Sequence, residues 1–117
     1  MIDLRDFYNS VGSNVDDVVC RLGGNEDFVK RFLKKFLDDN CFSDLLASLE
    51  KDDAQSAFRA VHTLKGVAVN LGIQSLFVKA SEVTELLRAG KLEVGKKALP
   101  GLQEEYFRVR SLIEEVA

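Results

Sequence analysis

Tryptophan is absent from this chain of 117 residues, proline and histidine each occur once, and cysteine occurs twice. Each shortage excludes something. A single proline leaves long stretches free to be helical, because proline is the residue that most strongly interrupts a helix. Cys20 and Cys41 lie far apart and, with only one histidine in the chain, match no zinc-ligand spacing. No metal site is expected. Both thiols read as small reduced groups at the core or its boundary, a spacing that leaves a disulfide between them open. There is no basic excess either. The net charge is −3 and the basic residues are interspersed with acidic ones, which argues against a nucleic-acid partner. No apolar run is long enough to span a bilayer, so no membrane contact is expected. The opening Met1-Ile2-Asp3-Leu4-Arg5-Asp6 lacks the basic-then-apolar order of a secretory signal, and the expected location is the cytoplasm. Strand signals are missing too: there is no Asn-Gly hairpin and no sustained alternation of period two.

What is present is helical. Hydrophobic residues make up 46 % of the chain and charged residues 30 %, a soluble globular balance, and the length suits one domain spanning 1–117. Leu4, Phe7 and Tyr8 suggest a short opening helix. Asn14 is placed to cap a second through Val15, Val18, Val19 and Leu22, stopped at Gly23-Gly24. Asn25 restarts the chain, with Glu26 and Asp27 suited to the positive end of a helix dipole. Phe28, Val29, Phe32, Leu33, Phe36 and Leu37 then form a stripe at helical spacing that reads as core, opposite Lys30, Arg31, Lys34 and Lys35. The phase shifts at Asp39-Asn40-Cys41, where a break or bend is expected, and Leu45, Leu46 and Leu49 continue to about Lys51-Asp52.

Asp52 or Asp53 caps a central helix that runs to about Leu71 and ends at Gly72. Ile73, Leu76, Phe77, Ala80, Val83 and Leu87 mark the next, stopped by Gly90. The last long helix starts near Glu93 and carries Leu99, Leu102, Tyr106, Val109, Ile113 and Val116 in steps of three and four. Pro100 either kinks this helix or, with Gly101, leads into it. Four amphipathic helices joined by short loops bury their apolar stripes most simply as an all-α, antiparallel up-down four-helix bundle, here with one or two short additional helices at the N-terminus. The bundle uses up the apolar stripes, so a monomer is expected.

The histidine stands in Val61-His62-Thr63-Leu64-Lys65-Gly66-Val67-Ala68-Val69-Asn70-Leu71-Gly72. A helix turns by about 100° per residue, which puts Ala54, Ala57, Phe58, Val61, Leu64, Ala68 and Leu71 on the core side. His62 falls on the flank of that face, together with Gly66 and Val69. Gln55 and Arg59 lie on the more exposed side, and Asn70 is exposed and placed to touch a partner. Thr63 faces solvent and takes no role. Lys65 projects between the histidine and the core edge, its stem on apolar surface and its ammonium toward water. A glycine inside a helix costs about 1 kcal/mol relative to alanine, so Gly66 carries a local penalty. Its bare backbone would leave the imidazole uncrowded, and Lys65 would balance an attached anion. A lone surface histidine is usually only a surface residue. The combination with lysine, glycine and a central helix suits a protein that carries a phosphoryl group on histidine and shows it to a partner. No Gly-rich phosphate loop or acidic metal cluster accompanies it, so the chain is not expected to bind ATP or hold Mg²⁺ alone.

His62, Leu64, Lys65, Gly66, Ala68, Asn70, Leu71 and Gly72 together resemble the signature of histidine-containing phosphotransfer (HPt) domains. Leu22-Gly23-Gly24-Asn25-Glu26, followed by Phe32 and Phe36, is similar to the family's lead into its first long bundle helix, and Leu87-Arg88-Ala89-Gly90 to the end of its third. The likeness runs from about Val15 to the C-terminus. It departs where many members carry a Leu-Glu pair and this chain has Val83-Thr84 between Glu82 and Glu85. The resemblance implies a four-helix bundle phosphorylated at Nε2 of His62. It also implies a two-component phosphorelay role, with the phosphoryl group arriving from a receiver-domain aspartate and leaving to another receiver. Receivers of response regulators, and a hybrid histidine kinase, are the partners it suggests. Arg59, Lys65, Gly66, Val69 and Asn70 would make the phosphate-proximal or docking surface. The chain would be a phosphoryl carrier without kinase activity or cofactor of its own, Mg²⁺ sitting on the receiver. Two alternatives stay open: a phosphoacceptor domain of a chemotaxis-type histidine kinase, and a non-catalytic helical adaptor in which His62 is incidental.

Overall fold

Short polar side chains start the helices. In the computed structural model, which describes residues 1–117, Asp3, Asn14, Asn25 and Asp53 each accept a hydrogen bond from the backbone N–H three residues on, at 2.8 to 3.1 Å. The helices are α1 (Leu4–Ser10), α2 (Val15–Arg21), α3 (Glu26–Phe36), α4 (Cys41–Glu50), α5 (Ala54–Asn70), α6 (Gln74–Arg88) and α7 (Leu92–Glu115). The break expected at Asp39-Asn40-Cys41 separates α3 from α4. These two together make the first long element of the bundle, α5, α6 and α7 make the other three, and α1 and α2 are the short N-terminal additions. The result is an up-down bundle 41 Å long and 23 by 19 Å across, about two helix diameters each way. None of its helices is long and apolar enough to cross a membrane.

The interior is one continuous apolar cluster. Leu33, Leu45, Val61, Leu64, Leu76, Leu102, Val109 and Ile113 are fully sealed within it. Thr84 is buried as well, and its hydroxyl donates to the Ala80 carbonyl at 2.7 Å, so the departure at Val83-Thr84 leaves no unpaired hydroxyl at that site. α7 runs unbroken through Pro100, whose ring lies on the exposed side. The proline therefore stands inside the helix rather than leading into it, at the expense of one backbone bond. No disulfide forms: Cys41 is half-buried, and Cys20 is exposed rather than at the core or its boundary.

The stripe on α3 is narrower than its sequence suggests. Val29, Leu33 and Phe36 are buried, but Phe28 and Phe32 are each 39 % exposed, their rings edge to face at 4.5 Å. α3 packs chiefly on α7, through Phe36 against Tyr106 and through Lys34, whose Nζ donates to the Ile113 carbonyl at 2.7 Å. The packing on α3 covers one narrow face.

α1 and α2 dock on the turn between α5 and α6. The Tyr8 hydroxyl donates to the Leu71 carbonyl at 2.7 Å, Ser13 Oγ to the Gly72 carbonyl at 2.5 Å, and Arg21 to the Val69 carbonyl at 3.2 Å. Burial holds the Tyr8 phenol well above its ordinary range, keeping it a donor. Gly72 has φ +73°, and a Cβ there would meet Val18 at 2.5 Å. Only glycine gives both the left-handed turn and the close approach. The chain ends meet as well: Ile2 pairs with Val116 in a short parallel bridge, its N–H donating to the Glu115 carbonyl at 2.8 Å.

Candidate functional site

α5 is the central element of the site, packed between α4 on one side and α6 on the other. Ala57, Ala60, Val61, Leu64 and Ala68 face inward. Ala54 and Phe58, read from the sequence as core, are only half-buried, while Ala60 is buried on the α4 side. The inward face is thus rotated slightly toward α4, which leaves Phe58 at the α6 edge.

His62 stands clear of the core and is exposed. The side-chain hydrogen bonds within α5 join Ser56 to Asp53, Arg59 to Ser56 and Thr63 to Arg59, and none engages the imidazole. Its one close side-chain partner of note is aromatic: the Phe58 ring, one turn earlier, is nearly parallel at 17° with centroids 5.6 Å apart. One turn later Gly66 is half-buried, and a Cβ added there meets nothing within 4 Å, the imidazole included. The space beside the ring on that side is open. Val69 is 43 % exposed and Asn70 is exposed, continuing the same ridge toward the end of the helix.

Three cations belong to this surface. Lys65 is half-buried along its stem, and its ammonium lies 5.8 Å from the centre of the Phe77 ring on α6. Arg88, near the end of α6, sets its guanidinium 5.3 Å from the centre of the Phe58 ring and pairs with exposed Glu85 at 3.5 Å. Arg59 is exposed toward α4, where its guanidinium reaches Ser56 Oγ at 3.4 Å. Neither Lys65 nor Arg59 takes part in any of the ion pairs. Two of the three cations therefore rest on aromatic faces, and Arg88's ion pair is long and solvated, worth little. An incoming anion would have no strong salt bridge to displace.

The structure brings His62, Lys65, Gly66, Val69 and Asn70 to one ridge, with Arg59 on its α4 flank. Phe58, Phe77 and Arg88 belong to the same surface and were not singled out from the sequence. Phe58 was open to detection, since a residue four before the histidine shares its face. Arg88 and Phe77 were not, because their place depends on the register between α5 and α6.

Comparison with known proteins identifies the family. Residues 31–117 match the model of the Hpt domain family, and the chain belongs to that family. It is also similar to the sensory/regulatory protein RpfC of Xanthomonas campestris pv. campestris, in two strains, with 34 % identity over 84 residues. That stretch covers 70 % of this chain but 11 % of those relatives, so the chain spans about a tenth of their length. No solved structure matches.

Proposed function

We propose that this protein is a phosphorelay intermediate that accepts a phosphoryl group on Nε2 of His62 from a receiver-domain aspartyl phosphate and passes it to another receiver. The observation that carries the reading is a solvent-exposed imidazole, free of hydrogen bonds within α5, beside Lys65 and the open space at Gly66. In the transfer, the Nε2 lone pair forms the N–P bond as the P–O bond to the aspartate breaks, and the carboxylate leaves with that electron pair. Nδ1 keeps its proton, and the return step reverses these changes. Phosphoryl transfer depends on positioning and charge stabilisation more than on covalent help from the protein. Lys65, three residues after His62 on the same helix and free of any ion pair, supplies positive charge beside the imidazole. The reading assigns the Mg²⁺ to the receiver.

Docking would use the ridge from His62 through Gly66 to Val69 and Asn70, with Arg59 and Lys65 meeting the acidic pocket of a receiver. Such contacts are short-lived and small. The similarity to long sensory/regulatory proteins favours a hybrid sensor as the source of the phosphoryl group. The experiment is to incubate the chain with radiolabelled, phosphorylated receivers and, separately, with an isolated kinase catalytic domain and ATP. Acid-labile, base-stable label from the receivers, lost in His62→Gln, is the expected result. Label from the catalytic domain alone would favour the chemotaxis-type alternative. Receiver binding without label would favour the adaptor.

A further inference from the structure

An exposed histidine on a helix ordinarily samples several rotamers, and each excursion removes its nitrogens from the position a donor must reach. Where an imidazole has to be held, a hydrogen bond to one nitrogen usually does it, and that bond also fixes the tautomer. Here no hydrogen bond of α5 holds the ring. What lies against it is the near-parallel Phe58 ring, at 5.6 Å and 17°.

Phe58 is itself held. It is half-buried and packed against the core cluster, and the Arg88 guanidinium sits 5.3 Å from its centre. Arg88 itself projects from the last turn of α6. The order of support therefore runs from α6 through Arg88 to Phe58 and from Phe58 to His62. An aromatic face restrains the plane of the imidazole while leaving both nitrogens unoccupied, which a hydrogen-bonding partner would not. An aromatic contact of this kind favours one rotamer severalfold without locking it.

We infer that Phe58 is a positioning residue for His62: its ring, clamped from α6 by Arg88, holds the imidazole in the orientation that meets the donor phosphorus. The inference rests on His62 being the phosphoacceptor, and it is tested by a readout that does not require transfer. In Phe58→Leu and Phe58→Met the bulk is largely kept and the ring is lost; in Phe58→Tyr the ring stays. His62 ring-proton shifts and side-chain three-bond couplings are measured by NMR on the unphosphorylated protein, with transfer rates from a phosphorylated receiver alongside. The expected result is loss of the ring-current shift and averaged couplings in Leu and Met, with transfer about three- to tenfold slower, and near wild-type values in Tyr. Unchanged couplings and rate in a folded Leu or Met variant would overturn the inference. If one of these two fails to fold, the other decides. If the wild type takes no label, the functional reading fails, while the couplings still decide whether Phe58 orders the ring.

Discussion

Gly66→Ala separates the needs of the fold from those of the site, because the two should move in opposite directions. Gly66 is inside α5 with ordinary helical backbone, and a Cβ built there finds nothing within 4 Å. Alanine therefore fits without a clash. Replacing an interior helical glycine by alanine is worth about 0.5–1 kcal/mol, and the half-buried site adds little further burial. For a domain of this size that corresponds to a rise in Tm of about 2–5 °C. Far-UV circular dichroism during heating and urea titration, with an unchanged m value, measures it. The imidazole needs no protection from a methyl group that does not reach it. On the proposed function, the open space serves instead the group that approaches the imidazole. Crowding that approach by one methyl is expected to slow transfer from a phosphorylated receiver at least tenfold, equivalent to about 1.4 kcal/mol. A Gly66→Ala variant that is less stable than wild type would refute the account of the open space. A more stable variant that transfers at the wild-type rate would refute the account of its purpose.

Gly72→Ala should act in the opposite sense on stability. It places a side chain at φ +73° and drives a Cβ to 2.5 Å from Val18, and strain plus overpacking together cost about 2–4 kcal/mol. Amide exchange in α1 and α2 should quicken more than in α5, since the carbonyls of Leu71 and Gly72 anchor them. A third prediction concerns acid. Burial alone would raise the Glu105 carboxyl, but hydrogen bonds from Arg108 at 2.7 Å and from Ser75 at 2.5 Å outweigh it and hold the group below its ordinary range. A carboxyl depressed by folding stabilises the folded state fully above its unfolded value, about 4.3, and that contribution disappears as pH falls through the lower folded value. Glu105→Gln should lower stability at pH 7 and flatten the loss of stability below pH 4; an identical acid limb in both proteins would count against the network.

Side-chain chemistry made much of the fold readable from local residues. The caps at Asn14 and Asn25 follow from a short acceptor placed before an apolar period, and the same logic leaves Asp52 and Asp53 as alternatives, of which Asp53 is the cap. The register of α5 follows from the turn per residue, which put His62 on the flank and Val61 and Leu64 inside. Phe28 and Phe32 escaped the same logic because periodicity reports which residues share a face, not how many helices cover it. Pro100 was ambiguous because a proline is tolerated within a helix when its ring faces solvent, and facing is a tertiary property. In the site, the groups on α5 were legible from one helix. The contributions of Phe77 and Arg88 depend on how α6 slides along α5, which neither helix encodes alone.

The bridge between Ile2 and Val116 has a practical consequence for engineering. Glu105 stands level with the start of α6, where it accepts from Ser75, and the final ten residues of α7 carry both chain ends about 15 Å further along the axis. His62 lies eight residues before the end of α5, roughly 12 Å in the other direction. A fluorescent reporter or surface tether grafted at either terminus would therefore leave the ridge around His62 unobstructed. A short Gly-Ser joint closing Ala117 onto Met1 would let the polypeptide be reopened at the exposed Lys51-Asp52 turn, giving a circular permutant with its new ends at the opposite pole.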